Sequence, residues 1–194
     1  LDVIAGAVSD PSVLAEVLAH QASLALVAGD YPRAARLNLE AADKGAQISF
    51  IYLSFAVRAL LLLGDVEGAR VALARHWAES PGNLIDDALG VAGQAGIDAL
   101  DGHLDQAIAG YREALARLDA IHIEWLVALL GFEFMALVGS DHPATREAAA
   151  RSRAIFERVD ARPWLDKLDA LEAERPAAPA GARRSTQSAA AVRT

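Results

Sequence analysis

Apolar residues in the stretch from Val13 to Gly29 recur three and four positions apart: Val13, Leu14, Val17, Leu18, Ala22, Ala25 and Leu26. That spacing gathers them on one face of an α-helix. Asp10 followed by Pro11 supplies a capping side chain and a favoured first-turn proline. Gly29 marks the end, and Asp30 caps a second helix that opens at Tyr31-Pro32 and runs to Gly45. The same pattern then returns. It predicts helices over Phe50–Leu63, from Asp65 to Ala78, over Leu84–Leu100, Leu104–Leu118 and Ile123–Val138, from Pro143 to Val159, and over Pro163–Ala173. Breaks fall at Gly64, at Ser80 to Asn83 (SPGN), at Gly102 and at Gly139, after which Asp141 is the expected cap.

The short strings GDYPRAA, GDVEGAR and DGHLDQA, with a looser GSDHPATREAA, mark four tight turns, each between the two helices of a hairpin. The turn glycines stand 35, 38 and 37 residues apart, the period of a helical repeat array. Ala34, Ala69 and Ala107 each fall five residues after their glycine, with Ala144 at that place in the lengthened fourth turn. A small side chain there lets the second helix approach the first closely. The expected fold is all-α: a right-handed superhelix of antiparallel helix pairs, closed by a C-terminal capping helix.

Residues 11–160 resemble tetratricopeptide repeats in four degenerate copies. The aromatic residue of that repeat's first helix is replaced by Leu18, Leu53, Val91 and Ala128, and its closing proline is in register once, at Pro81. A narrower resemblance lies in RSRAIFERVDARPWLDKLDAL, Arg151 to Leu171. It is similar to the closing segment of helical-repeat regions in large bacterial ATP-binding regulators, the LuxR-type activators and class III adenylate cyclases. Phe156, Glu157, Arg158, Ala161, Arg162, Pro163 and Trp164 follow in that order, with Val159-Asp160 where Leu-Gly is more usual. No DNA-binding helix-turn-helix follows, which tilts the resemblance toward the cyclases. Such a parent's catalytic aspartates belong on strands of a mixed sheet. No strand is evident here, so the active part of such a parent is expected outside this chain, which opens on Leu rather than Met and is read either as trimmed or as a piece of a longer protein.

Composition sharpens the partner class. Residues 1–174 are expected to form the repeat domain and residues 175–194 an unstructured tail, whose RRST resembles a basophilic kinase target. The tail holds four arginines and no acidic residue, leaving 14 basic against 26 acidic side chains before it. A body this acidic repels phosphate backbones, so nucleic acid is not an expected partner of the folded part. The apolar runs Leu53–Leu63 and Trp125–Phe132 fall short of the ~20 residues a membrane helix needs. LDVIAGAVSD lacks the basic leader of a signal peptide. The chain has no cysteine, so a cytoplasmic setting is expected.

Candidate chemistry is sparse. Gly90, Gly93 and Gly96 lie inside a helical segment, where they form a strip for close packing rather than a phosphate loop. His20, His76, His103, His122 and His142 have no second histidine at helical ligand spacing, and only single carboxylates stand near them. Asp86, Asp87, Asp98, Asp101, Asp105 and Glu113 read as a solvated acidic face. No nucleophile and base cluster, so this chain is not expected to be an enzyme or to hold a cofactor or metal. A repeat of this kind takes a peptide or helix along its first-helix face. The expected lining is Glu16, Ser23, Ile51, Ser54, Arg58, Leu61, Leu126, Leu129 and Glu133, or, for its aliphatic members, plain core. Arg58 is its only cation, which argues against carboxylate capture of the chaperone-binding kind and for an amphipathic segment or a neighbouring domain. On this reading, substitutions at Arg58 and Glu133 alter partner binding without unfolding the chain. Trp77 and Trp125 are candidate anchors, and Trp164 is expected to pack the last helix onto the preceding pair.

Overall fold

The computed structural model describes residues 10–45 and 48–173. The expectations for the 175–194 tail and for residues 1–9 lie outside them. Among the described residues there are nine α-helices and no strand: α1 Pro11–Ala28, α2 Tyr31–Lys44, α3 Ser49–Leu63, α4 Val66–Glu79, α5 Leu84–Leu100, α6 Leu104–Ala120, α7 Glu124–Val138, α8 Pro143–Arg158 and α9 Arg162–Ala173.

The turn glycines do what the sequence asks of them. Gly29, Gly64 and Gly102 adopt φ of 80°, 83° and 84°. At each, the next residue donates its backbone N–H to the carbonyl five positions back: Asp30 to Ala25, Asp65 to Leu60, His103 to Asp98. This left-handed cap satisfies carbonyls that the helix end leaves free. Asp10, Asp30 and Asp65 then accept backbone N–H groups of the following helix, at 2.9, 3.2 and 2.9 Å. The fourth turn departs from expectation. His142, not Asp141, is the cap residue, its Nδ1 accepting from the Ala144 N–H at 3.1 Å. The two extra residues between Gly139 and this cap also shift the register. Ala34, Ala69 and Ala107 are fully buried, but in the last hairpin that place goes to Thr145 while Ala144 is half-exposed.

The pairs α1/α2, α3/α4, α5/α6 and α7/α8 are antiparallel hairpins, and one continuous apolar cluster runs from Ala25 to Leu168. Helix α3 is at the centre: ten of its fifteen residues are buried. The glycine strip on α5 is a packing surface. A Cβ at Gly90, Gly93 or Gly96 would meet Trp77 of α4, Val57 of α3 and Leu61 of α3, at 2.2, 3.0 and 2.4 Å.

Two contacts go beyond nearest-neighbour stacking. Helix α3 touches α7, two hairpins away, and α9 reaches back to the first hairpin. There the Lys167 ammonium sits over the Tyr31 ring, 5.6 Å from its centroid. The α8–α9 corner makes this return possible. Phe156 and Trp164 are buried and stacked with centroids 5.8 Å apart, and Phe132 of α7 meets Trp164 edge-on at 5.2 Å. Trp164 thus seals the last helix onto the α7/α8 pair, as expected. At the corner Asp160 takes φ of 51° while Ala161 N–H donates to Phe156 O at 2.8 Å. This is the left-handed cap again, without its glycine. A left-handed L-residue is strained by roughly 1–2 kcal/mol, whereas glycine gives up about 0.5–1 kcal/mol in chain entropy. Asp160→Gly is therefore expected to stabilise by up to about 1 kcal/mol, raising Tm by roughly 2–4 °C in a thermal melt. A lower Tm would refute the strain.

Candidate functional site

The expected lining residues divide into two groups. Glu16 and Ser23 are exposed on α1, and Ile51, Ser54 and Leu126 are half-buried. Each polar member of this group has a local partner: Glu16 Oε1 accepts from Tyr52 O–H at 2.9 Å, and Ser23 and Ser54 hydroxyls donate to Ala19 and Ile51 carbonyls at 3.0 and 2.7 Å. Arg58, Leu61, Leu129 and Glu133 are buried, with exposures of 5, 1, 4 and 2%. They do not line an open groove. The reason is the α3–α7 contact, which closes the first-helix layer over them.

What it encloses is a polar node. Arg58 Nε donates to Glu133 Oε2 at 2.7 Å, and Tyr111 O–H donates to Glu133 Oε1 at 2.8 Å. Three helices from three hairpins (α3, α6 and α7) meet at one carboxylate. Phe134 stacks on the Tyr111 ring at 4.7 Å, and the Arg58 guanidinium lies 5.6 Å from the Phe55 centroid. Burial, together with the Glu133 charge, pushes the Tyr111 phenol well above its usual range, so it stays a donor. Arg58 Nη1 is buried without a hydrogen-bond partner, so the ion pair satisfies its members incompletely. This node orients hairpins and reaches no solvent. It is structural rather than an interaction surface.

The accessible chemistry lies at the open ends of the hairpins. There the starts of α1, α3, α5 and α7 stand beside the ends of α2, α4 and α8. The alignment is fixed by Glu16–Tyr52 between α1 and α3, Arg75–Asp43 between α4 and α2, and Arg158–Glu124 between α8 and α7. Nine large apolar side chains are exposed among the described residues, and five belong to this edge: Val13 at 49%, Trp77 at 45%, Leu84 at 66%, Trp125 at 43% and Val159 at 53%. A cleft of about 240 Å³ opens here, lined by Ser12, Val13, Glu16, Gly45, Ile48 and Tyr52. Burial, and then the bond to Glu16, raises the Tyr52 phenol above its ordinary value. Trp77 and Trp125, the candidate anchors, are both partly exposed. Trp77 lies across Gly90, and Trp125 meets Phe156 edge-on at 5.6 Å.

Among the described residues no group of three or more His, Asp or Glu side chains is placed to hold a metal ion. Helix α1 is long and apolar enough to cross a membrane by length and composition alone, with mean hydropathy 1.3 over 18 residues, unlike the shorter runs Leu53–Leu63 and Trp125–Phe132. In the fold it buries Ala15, Leu18, Ala22, Ala25 and Leu26 against its neighbours. Sequence reasoning also missed Tyr111 and His76 as polar core residues, and Asp86, read there as part of a solvated acidic face, is 1% exposed. The signal was present for His76, which follows Ala69, Ala72 and Leu73 at the spacing of a buried face. No protein-family profile, curated protein or solved structure matches the chain.

Proposed function

We propose that the chain is a non-catalytic interaction module, a scaffold or regulatory part of a multidomain signalling protein that docks a protein segment or a neighbouring domain. The observation that carries this reading is that five of the nine exposed large apolar side chains among the described residues stand at the open ends of the hairpins: Val13, Trp77, Leu84, Trp125 and Val159. Exposed apolar area concentrated on one side of a molecule marks interaction surfaces, and tryptophan is enriched among the anchors there. The hairpins themselves are read as degenerate tetratricopeptide-like repeats in a right-handed array. The recurring left-handed glycine cap and the buried small residue at a fixed offset support that reading. The docking surface, though, is the open edge rather than the first-helix face.

A benzophenone amino acid placed at position 84 should trap one discrete protein, or a domain of the same parent, when the chain is irradiated in its native setting. The same probe at position 71, exposed on α4, should not. Equal adducts from both positions, or none from position 84, would remove the support for an edge-docking module.

A second reading is that the chain is the C-terminal region of an adenylate cyclase or an ATP-dependent transcriptional activator. The α8–α9 corner favours it. Asp160 stands where the similar regulators more usually carry glycine, and it occupies a backbone conformation that favours glycine. Phe156 and Trp164 of the same motif form the stacked pair that holds the corner. The test is whether the coding sequence upstream of Leu1 continues into a P-loop ATPase or a cyclase. A different upstream domain would remove this reading.

A further inference from the structure

Helix α9 is the shortest helix among the described residues, and of its twelve residues only Trp164 and Leu168 are buried. The two stand one helical turn apart, on one face. Their receptor belongs to α7 and α8. Phe132 meets Trp164 edge-on at 5.2 Å, and Phe156 stacks on it at 5.8 Å. Arg153 of α8 donates to Asp169 at 2.7 Å and to Glu172 at 3.0 Å, which sets the register of α9 along that face. On the far side the Lys167 ammonium lies over the Tyr31 ring. An aromatic stack, a guanidinium shared by two carboxylates and a cation over a ring make a face matched to this helix.

None of these contacts requires that α9 come from the same chain as the face it covers. What ties the two is the corner at residues 159–161. There Asp160 holds φ of 51°, in the left-handed region where an L side chain is strained, and Ala161 N–H reaches the Phe156 carbonyl at 2.8 Å. The strain lasts only while the chain doubles back. The bond from Arg162 Nε to the Asp160 carboxylate, 2.7 Å long, joins two exposed side chains and holds the corner weakly. Pro163 keeps the opened corner a joint. It has no N–H to give the Val159 carbonyl, as an unbroken α8–α9 helix would require. A short hinge under strain favours exchange of the element beyond it between copies.

We propose that α9 is exchanged between two copies of this chain: each opens its corner at residues 159–161 and lays its α9 on the α7/α8 face of the other, in a two-fold dimer. The partner of this face is then a second copy, recognised by a tryptophan, a leucine and two acids at the spacing of Trp164, Leu168, Asp169 and Glu172. Every buried contact of α9 is present in both states, so corner strain and protein concentration set the balance between them. The exchange does not rest on what the open edge docks.

The test uses the full chain with Tyr31→p-benzoylphenylalanine, which places a photoreactive ring beside Lys167. Equal amounts of unlabelled and heavy-nitrogen-labelled chain are unfolded together and refolded at high concentration, and the dimer is collected by size exclusion. On irradiation, the peptide around position 31 is expected to couple to the peptide around Lys167 with mixed isotopes, in the proportion that random pairing gives. Absence of a dimer, or a dimer without mixed-isotope adducts between these two peptides, overturns the proposal. Asp160→Gly gives a second reading, because it removes the strain without opening the corner. Its dimer association constant should fall by about fivefold or more for each of the two corners, relative to the wild-type chain. An unchanged or higher constant also overturns it.

Discussion

Glu133→Gln is expected to destabilise the chain by about 3–5 kcal/mol, lowering Tm by roughly 6–20 °C. The substitution keeps the shape and removes the charge, leaving the Arg58 guanidinium buried opposite a neutral amide. Removing one partner of a buried pair costs far more than the pair contributes, because the remaining ion stays out of water. Replacing the whole node should behave differently. In Arg58→Met/Tyr111→Phe/Glu133→Leu no polar group is stranded, and Arg58 Nη1, already without a partner, is removed as well. That triple variant is expected to melt within a few degrees of the wild-type chain, or above it. Calorimetry of the two variants decides the matter. A small loss for Glu133→Gln would mean that water reaches the carboxylate.

Phe156→Ala carries the second large effect, a loss of about 3–5 kcal/mol. The ring is fully buried between the edge of Trp125 and the face of Trp164. Its removal takes away the surface on which α9 turns back. Two signatures should accompany the lower Tm: Trp164 becomes accessible to a fluorescence quencher, and the Lys167 contact over Tyr31 is lost. Quenching unchanged from the wild-type chain would show that Phe132, which also meets Trp164, holds α9 without Phe156.

The sequence carried much of the architecture. Helix ends follow from caps and turns that act within five residues, so Gly29, Gly64, Gly102, Asp30 and Asp65 could be placed from the chain alone. The misplacement of Asp141 has the same local character. The turn is two residues longer from glycine to cap than in the first three hairpins, which puts the cap at His142, and the fully buried place falls at Thr145. Gly131 went unnoticed because it stands alone in an apolar run, yet a Cβ there would meet the Ala148 carbonyl oxygen at 2.8 Å. Nothing within one helix reports how near the next backbone lies.

The binding surface was less legible, and Arg58 and Glu133 show why. Each is a charged residue among apolar neighbours, a pattern shared by a groove wall and a buried pair. Glu133 keeps the phase of Leu126, Leu129 and Leu130, and Arg58 stands between Val57 and Leu61. Their opposite signs hinted at pairing. That they meet across 75 residues is a property of how hairpins close on each other.

By itself, then, the sequence determined eight or nine helices, where the described residues hold nine, their hairpin order and, in three of the four hairpins, the small residue that lets the pair approach, because those rest on hydrogen bonds and side-chain periods of three to five residues. The tertiary structure alone decided which charges were buried together, which tryptophans remained in water, and that the last helix touches the first hairpin. Such contacts are set by the summed packing of many helices, where a shift of one turn exchanges buried side chains for exposed ones.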